Sequence, residues 1–269
     1  MKVFVFGSTG MLGRYVTSYL KHRYEVVPIT RRKFDISVDL GLWEFFKRHN
    51  VIEGDVIINC AGVIKQREKQ TNTLESILVN SIFPHRLSYV CENFNVKMIH
   101  ITTDCVFSGK KGSYSEDDLH DCLDAYGKTK SLGEPENCTI IRTSIIGEEI
   151  ENKVSLVEWF KSKRDDQADG YNNHLWNGVT CLQLAKIIDI IITNNLFWDG
   201  VRHIFTKHHI SKFELLKIIN DVYELNVRLN EISCFNSVNR TLRSNFEMDF
   251  DIPSLDQQIN ELFHYRKFL

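Results

Sequence analysis

A chain of 269 residues with 43% hydrophobic content can fill one substantial core, or a larger unit carrying a smaller lobe. Charged residues make up 25%, the formal net charge is -2 and no Lys/Arg run exceeds three residues, so neither a nucleic-acid surface nor an anionic-membrane surface is expected, and the expected partner is a small molecule. The seven cysteines, Cys60, Cys91, Cys105, Cys122, Cys138, Cys181 and Cys234, form no C-x-x-C pair and are odd in number, which argues against a disulfide framework or a zinc knuckle and for a reducing, cytoplasmic setting.

In chain order, the first apolar run, Val3 to Phe6, meets a glycine at once and reads as a strand rather than a signal peptide. Further strands are expected at Tyr24 to Ile29, Asp55 to Asn59, Lys97 to Thr102 and Thr139 to Arg142, with helical segments starting near Met11, Val38, Thr73 and Ala125. Consecutive parallel strands need such crossovers, so the pattern predicts an α/β fold with a doubly wound parallel sheet. After Gly147 the rhythm changes. An amphipathic piece (Val154 to Phe160), a polar stretch (Lys161 to Gly170) and a helix (Thr180 to Thr193) precede a strand at Val201 to Phe205. Another helix follows Ser211, whose hydroxyl is placed as an N-cap with Glu214 completing a capping box. The chain thus divides into residues 1–147, which carry the doubly wound pattern, and 148–269, a smaller C-terminal α/β lobe, some of whose elements have room to return to the main sheet. Ile187 to Ile192, broken by Asp189, is too short to span a bilayer. His208-His209 lacks metal-ligand spacing and reads as a surface loop, so no metal is expected.

The run Gly7-Ser8-Thr9-Gly10-Met11-Leu12-Gly13 places G-x-x-G-x-x-G between the first strand and the first helix. Gly7 takes the tight turn, Gly10 lets amides approach a pyrophosphate at the helix N-terminus, and Gly13 permits close helix-to-strand packing. The end of the second strand reads Thr30-Arg31-Arg32-Lys33, with no carboxylate for ribose hydroxyls. Two guanidiniums there suit a 2′-phosphate, which favours NADPH over NADH, although Arg31 and Arg32 also read as solvated loop charges. Asp35 and Ile36 either flank the adenine or cap the next helix.

Tyr126-Gly127-Lys128-Thr129-Lys130 is a Y-x-x-x-K pair sharing one helical face. A phenol with an ordinary pKa of about 10 is a poor proton shuttle at neutral pH, and the Lys130 ammonium is expected to lower that value. Tyr126 would protonate a carbonyl oxygen as hydride arrives, and Lys130 would also bond the nicotinamide ribose. Strand-end hydroxyls come from Thr103, with Thr102 second, where doubly wound sheets bind ligands.

With Asn59-Cys60-Ala61-Gly62, Val79-Asn80, Thr102-Thr103-Asp104-Cys105-Val106-Phe107-Ser108-Gly109, Gly133-Glu134 and Arg142-Thr143 added, the chain resembles the dTDP-4-dehydrorhamnose reductase branch of the extended short-chain dehydrogenases. The resemblance implies a Rossmann fold, NADPH and a UDP- or dTDP-4-keto-6-deoxyhexose. It also implies that Cys60, Ala61, Gly62, Asn80, Thr102 and Lys130 line the cofactor, that Asp104, Cys105 and Val106 join Thr103 and Tyr126 at the sugar, and that a homodimer forms through the helices after Thr73 and Ala125. The chain departs from the family pattern at Cys105, where the reductases carry tyrosine, and in Asn177-Gly178-Val179-Thr180 and Asn239-Arg240-Thr241 of the lobe. Cys105 either shapes the pocket or serves as the acid/base of a bifunctional 3- or 5-epimerase and 4-reductase. A non-catalytic NADP-binding regulatory subunit is the alternative from another class. Lys153, Arg202 and Arg240 are the candidate diphosphate contacts.

Overall fold

The computed structural model describes every residue except 39–40, 65–71, 152 and 248–249. Its first half runs β1 (Lys2–Phe6), α1 (Met11–Leu20), β2 (Glu25–Ile29), α2 (Leu42–Arg48), β3 (Val56–Asn59), α3 (Thr73–Ile77), a π-helical turn (Leu78–Ile82), α4 (Phe83–Asn93), β4 (Lys97–Thr103), a 3-10 turn (Asp104–Val106), α5 (Ala125–Ser131) and β5 (Thr139–Thr143). The second half runs β6 (Ile145–Ile146), α6 (Leu156–Lys161), β7 (Gln167–Tyr171), β8 (His174–Trp176), β9 (Val179–Thr180), α7 (Cys181–Thr193), β10 (Gly200–His203), β11 (Ile210–Ser211), α8 (Lys212–Tyr223), β12 (Arg228–Ile232), β13 (Val238–Asn239) and α9 (Leu255–Tyr265).

The main sheet has the order β10-β5-β4-β3-β1-β2, and every pairing in it is parallel. Its central strands β1, β3, β4 and β5 are buried on both faces because apolar residues, many β-branched or aromatic, alternate sides. Val3, Val5, Ile58 and Ile99 pack under α1 and α7, whereas Phe4, Phe6 and Ile57 pack under α2 and α4 with Phe45, Phe46, Phe83 and Leu87. Since α7 and β10 lie beyond residue 147, the chain returns to this sheet after leaving it. The lobe core gathers Val157, Phe160, Trp176, Leu215, Ile219 and Ile259 from α6, β8, α8 and α9, and the short β6–β9 pairing ties it to the sheet.

Three expectations shift. The helix expected near Val38 begins at Leu42, after a turn in which Asp35 accepts from the Ser37 amide and hydroxyl. The polar stretch Lys161 to Gly170 leads into β7, which pairs in parallel with β12, a strand absent from the sequence reading. The strand expected at Val201 to Phe205 is Gly200–His203, on the edge of the main sheet. No helix among the described residues is long and apolar enough to cross a membrane.

Candidate active site

Strand order reverses between β1 and β3, and at their C-terminal ends lies a cleft of about 450 Å³ lined from both halves of the chain. Its floor is the glycine turn. Gly7 adopts φ +72°, and a Cβ there would lie 2.7 Å from the Ala61 backbone, so the turn and the loop after β3 touch main chain to main chain. A Cβ on Gly13 would lie 2.1 Å from the Gly7 carbonyl, which is why α1 can start so close to β1. Thr9, Gly10, Met11 and Leu12 then face the cleft with Cys60, Ala61, Gly62 and Val63.

The reacting groups come from the end of β4 and from α5. Asp124 caps α5 by accepting the Gly127 amide at 2.8 Å, which sets the first turn carrying Tyr126. A Cβ on Gly127 would meet the Cys105 carbonyl at 2.4 Å, and one on Gly133 would meet the Asn80 carbonyl at 1.8 Å. The two glycines therefore let α5 press against both the 3-10 turn after β4 and the π-helical turn. On the latter, buried Asn80 accepts the Val63 amide at 2.9 Å and donates to the Val63 carbonyl at 3.0 Å and to Thr129 Oγ1 at 3.2 Å. π-Turns recur at functional sites, where they displace one residue from the helical ladder.

The Thr103 hydroxyl, in the same cleft as the Tyr126 phenol, accepts the Cys105 amide at 3.2 Å and donates to Asp104 Oδ1 at 3.2 Å. Burial, then the Cys105 thiol, pushes the Tyr126 phenol above its ordinary value, against the opposing influence of Thr103. This corrects the expected lowering: taking the ring out of water dominates, and the Lys130 ammonium is turned to the Ile101 carbonyl. Lys130 is 5% exposed and donates from Nζ to the Ile101 carbonyl at 3.2 Å. Burial pushes its ammonium down to about 8, with Glu134 and Cys60 opposing. Asp104 is buried and raised for the same reason, although Arg240, Lys212, Thr103 and the Cys105 thiol all favour its carboxylate.

The lining fits a nicotinamide dinucleotide. Among the described residues, buried Thr102 Oγ1 in the cleft wall has no hydrogen-bond partner. A Cβ on exposed Gly62 would lie 3.7 Å from Lys130 Nζ and would fill the space between the loop and the ammonium. The opposite wall comes from Ser144 and Ile145, directly after β5, and from Glu149, Ser155, Trp176 and Lys212 of the lobe.

A family model described as the RmlD substrate binding domain matches residues 1–245. The chain belongs to that family. A dTDP-4-keto-6-deoxy-D-glucose reductase of Streptomyces niveus is 29% identical over 197 residues, covering 68% of this chain and 67% of that protein. The spore coat polysaccharide biosynthesis protein SpsK of Bacillus subtilis is 33% identical over 153 residues, 53% of this chain and 52% of its own length. The fold is shared with a dTDP-4-dehydrorhamnose reductase of Bacillus anthracis solved with NADP, at TM-score 0.80, 21% identity and 98% coverage of both chains.

In this RmlD-family chain the cleft brings together Thr9 to Leu12, Cys60 to Gly62, Thr102, Thr103, Asp104, Cys105, Tyr126 and Lys130. Other expected residues lie elsewhere. Gly7 and Gly13 act by packing. Asn80 lies outside the cleft lining, its amide engaged by Val63 and Thr129. Val106 also lies outside it, wholly buried against Phe107, Tyr114 and Leu242. Arg31, Arg32, Asp35 and Ile36 lie beyond β2 and outside the cleft lining; exposed Arg31 pairs with Glu75 at 3.0 Å and with Asp35 at 4.0 Å, so carboxylates do approach this end. Arg240 donates to the Phe107 and Ser108 carbonyls, and Arg202 stacks on Trp198 and Phe246 away from the cleft. The sequence reading missed Arg14, whose position directly after Gly13 was a signal, and missed the lobe wall of Glu149, Trp176 and Lys212. Arg14 donates to the Thr9 carbonyl and pairs with Glu151 across the mouth at 2.9 Å.

Proposed function

We propose that the chain reduces the 4-keto group of a nucleotide-linked 6-deoxy sugar with NADPH in deoxysugar biosynthesis. The substrate is dTDP-4-dehydrorhamnose or a UDP-4-keto-6-deoxy or acetamido-dideoxy hexose. The observation that carries this reading is that Thr103 at the end of β4 and Tyr126 on α5 line one cleft with the glycine turn and a buried lysine. Bound NADPH supplies the hydride. Thr103 orients the sugar carbonyl, and Tyr126, protonated at neutral pH, delivers its proton to the carbonyl oxygen, a role typically contributing about 10²- to 10⁴-fold. Lys130, charged below about 8, steadies the phenolate left behind and would hold the ribose of the bound cofactor. The names of the relatives above support a 4-keto sugar nucleotide, and the NADP complex of the Bacillus anthracis protein supports the cofactor.

A panel of UDP- and dTDP-4-keto-6-deoxy sugars, with and without an acetamido group, tests it by NADPH consumption. Turnover of at least one is expected; NADPH binding without turnover on any would favour the regulatory-subunit reading. Cys105 supports a second reading, because it lines the cleft beside Tyr126 and hydrogen-bonds Asp104. As acid/base it would add 3- or 5-epimerisation. Deuterium at the ring carbons flanking C4 after turnover in D₂O supports that addition, and its absence removes it.

A further inference from the structure

Lys212 is the lobe's cation at the chemical end of the cleft. It opens α8, where the Ser211 hydroxyl accepts the Glu214 amide at 3.1 Å and the Glu214 carboxylate accepts the Ser211 amide at 2.7 Å. The pairing of Ile210 with Trp176 across β11 and β8 sets the side chain beside the indole, with Nζ 4.9 Å from the ring centroid. Facing it are Asp104 and Cys105 on the turn after β4, with Arg240 beside them.

This is an adverse place for a positive charge. The first turn of a helix is the positive end of its dipole, the side chain is partly buried, and Arg240 repels it. Burial first, and then Arg240, pushes the ammonium down to about 8 against the pull of Asp104 and Cys105. Among the described residues no hydrogen bond or close ion pair takes up its protons; its near contact is the Trp176 face. An ammonium carries three donors, and withdrawing them from water without acceptors is unfavourable unless something in the cleft accepts them.

We propose that Lys212 is a specificity-determining substrate contact, whose ammonium donates to an oxygen substituent of the hexose ring next to the ketone and fixes the ring's rotation against Thr103 and Tyr126. The proposal rests on the sugar-reductase reading above. It places Lys212 at the sugar rather than at the diphosphate because the groups facing it, Asp104 and Cys105, directly follow Thr103, and Cys105 in turn acts on Tyr126. Atoms bound in this corner are those flanking the reacting carbon.

The test uses Lys212→Met and Lys212→Arg with a sugar nucleotide that the wild type reduces, and reads three constants: kcat/KM for the sugar nucleotide, Kd for NADPH, and Ki for the matching free nucleoside diphosphate. Loss of a charged hydrogen bond is expected to lower kcat/KM about 10- to 100-fold in Lys212→Met, chiefly through KM, with partial recovery in Lys212→Arg. The Kd for NADPH, which also reports a folded cleft, and the Ki for the nucleoside diphosphate should stay within about twofold. A Lys212→Met enzyme that binds NADPH normally and keeps its kcat/KM overturns the proposal, as does a nucleoside diphosphate Ki raised by the same factor, which would make Lys212 a phosphate contact. If the wild type itself reduces no 4-keto sugar nucleotide, the reductase reading falls and takes this one with it; active wild type with an indifferent variant sinks this one alone.

Discussion

At the scale of single residues, Tyr126 shows how opposing forces set a catalytic group. Burial and the Cys105 thiol hold its proton on, and the Thr103 hydroxyl favours letting it go. The raised value keeps the proton on at working pH but makes its release harder, so delivery to the carbonyl oxygen needs a cation to stabilise the phenolate, the role proposed for Lys130. Tyr126→Phe should cut kcat by about 10²- to 10⁴-fold while leaving NADPH affinity intact, as measured by single-turnover absorbance and cofactor fluorescence. Lys130 sets the pH range. Its charged form lies below about 8, so kcat/KM should hold a plateau under that pH and fall above it as the ammonium loses its proton. Lys212 titrates in the same window, and the Lys212→Met profile, which should retain the limb, tells the two apart. Tyr126, Lys130 and Thr103 were legible because their chemistry follows a local spacing and a strand end. Lys212 was not, since a lone lysine after a capping serine looks like any solvated helix start until the lobe folds back onto the 3-10 turn.

At the scale of elements, the site depends on how closely α5 approaches its neighbours. Gly133 lies against the Asn80 carbonyl of the π-helical turn, with no room for a methyl group. Gly133→Ala should destabilise the fold by about 1–3 kcal/mol through overpacking, seen as a Tm lower by several degrees, and should reduce kcat through displacement of Tyr126. The strands of the main sheet were readable because Val, Ile and Phe runs buried on both faces leave a strong apolar signal. β7 and β12 were not. β7 buries only Ala168 and Gly170 between exposed polar residues, and β12 has only Leu229 and Ile232 partly buried among exposed positions, so neither stands out as an apolar run.

At the scale of the whole molecule, the cleft exists because the chain crosses from sheet to lobe and back, with β6–β9 as the seam and α7 and β10 completing the first layer. One wall can then hold a dinucleotide while the other holds a sugar. At the far end of the sheet, beyond β2, Arg31 is shared between Glu75 and Asp35. If Arg31 and Arg32 receive the 2′-phosphate, Arg31→Ala/Arg32→Ala should lower the NADPH-to-NADH ratio of kcat/KM by about 10- to 100-fold, and Glu75→Gln, which frees Arg31, should raise it. The central claim is that the Tyr126 phenol and the nicotinamide converge on C4 of the sugar. It is tested most directly by turnover with C4-deuterated NADPH and NMR of the product. Deuterium at sugar C4 with wild type, and almost none with Tyr126→Phe in the same time, is the predicted result; label at another carbon, or equal transfer by both enzymes, contradicts it.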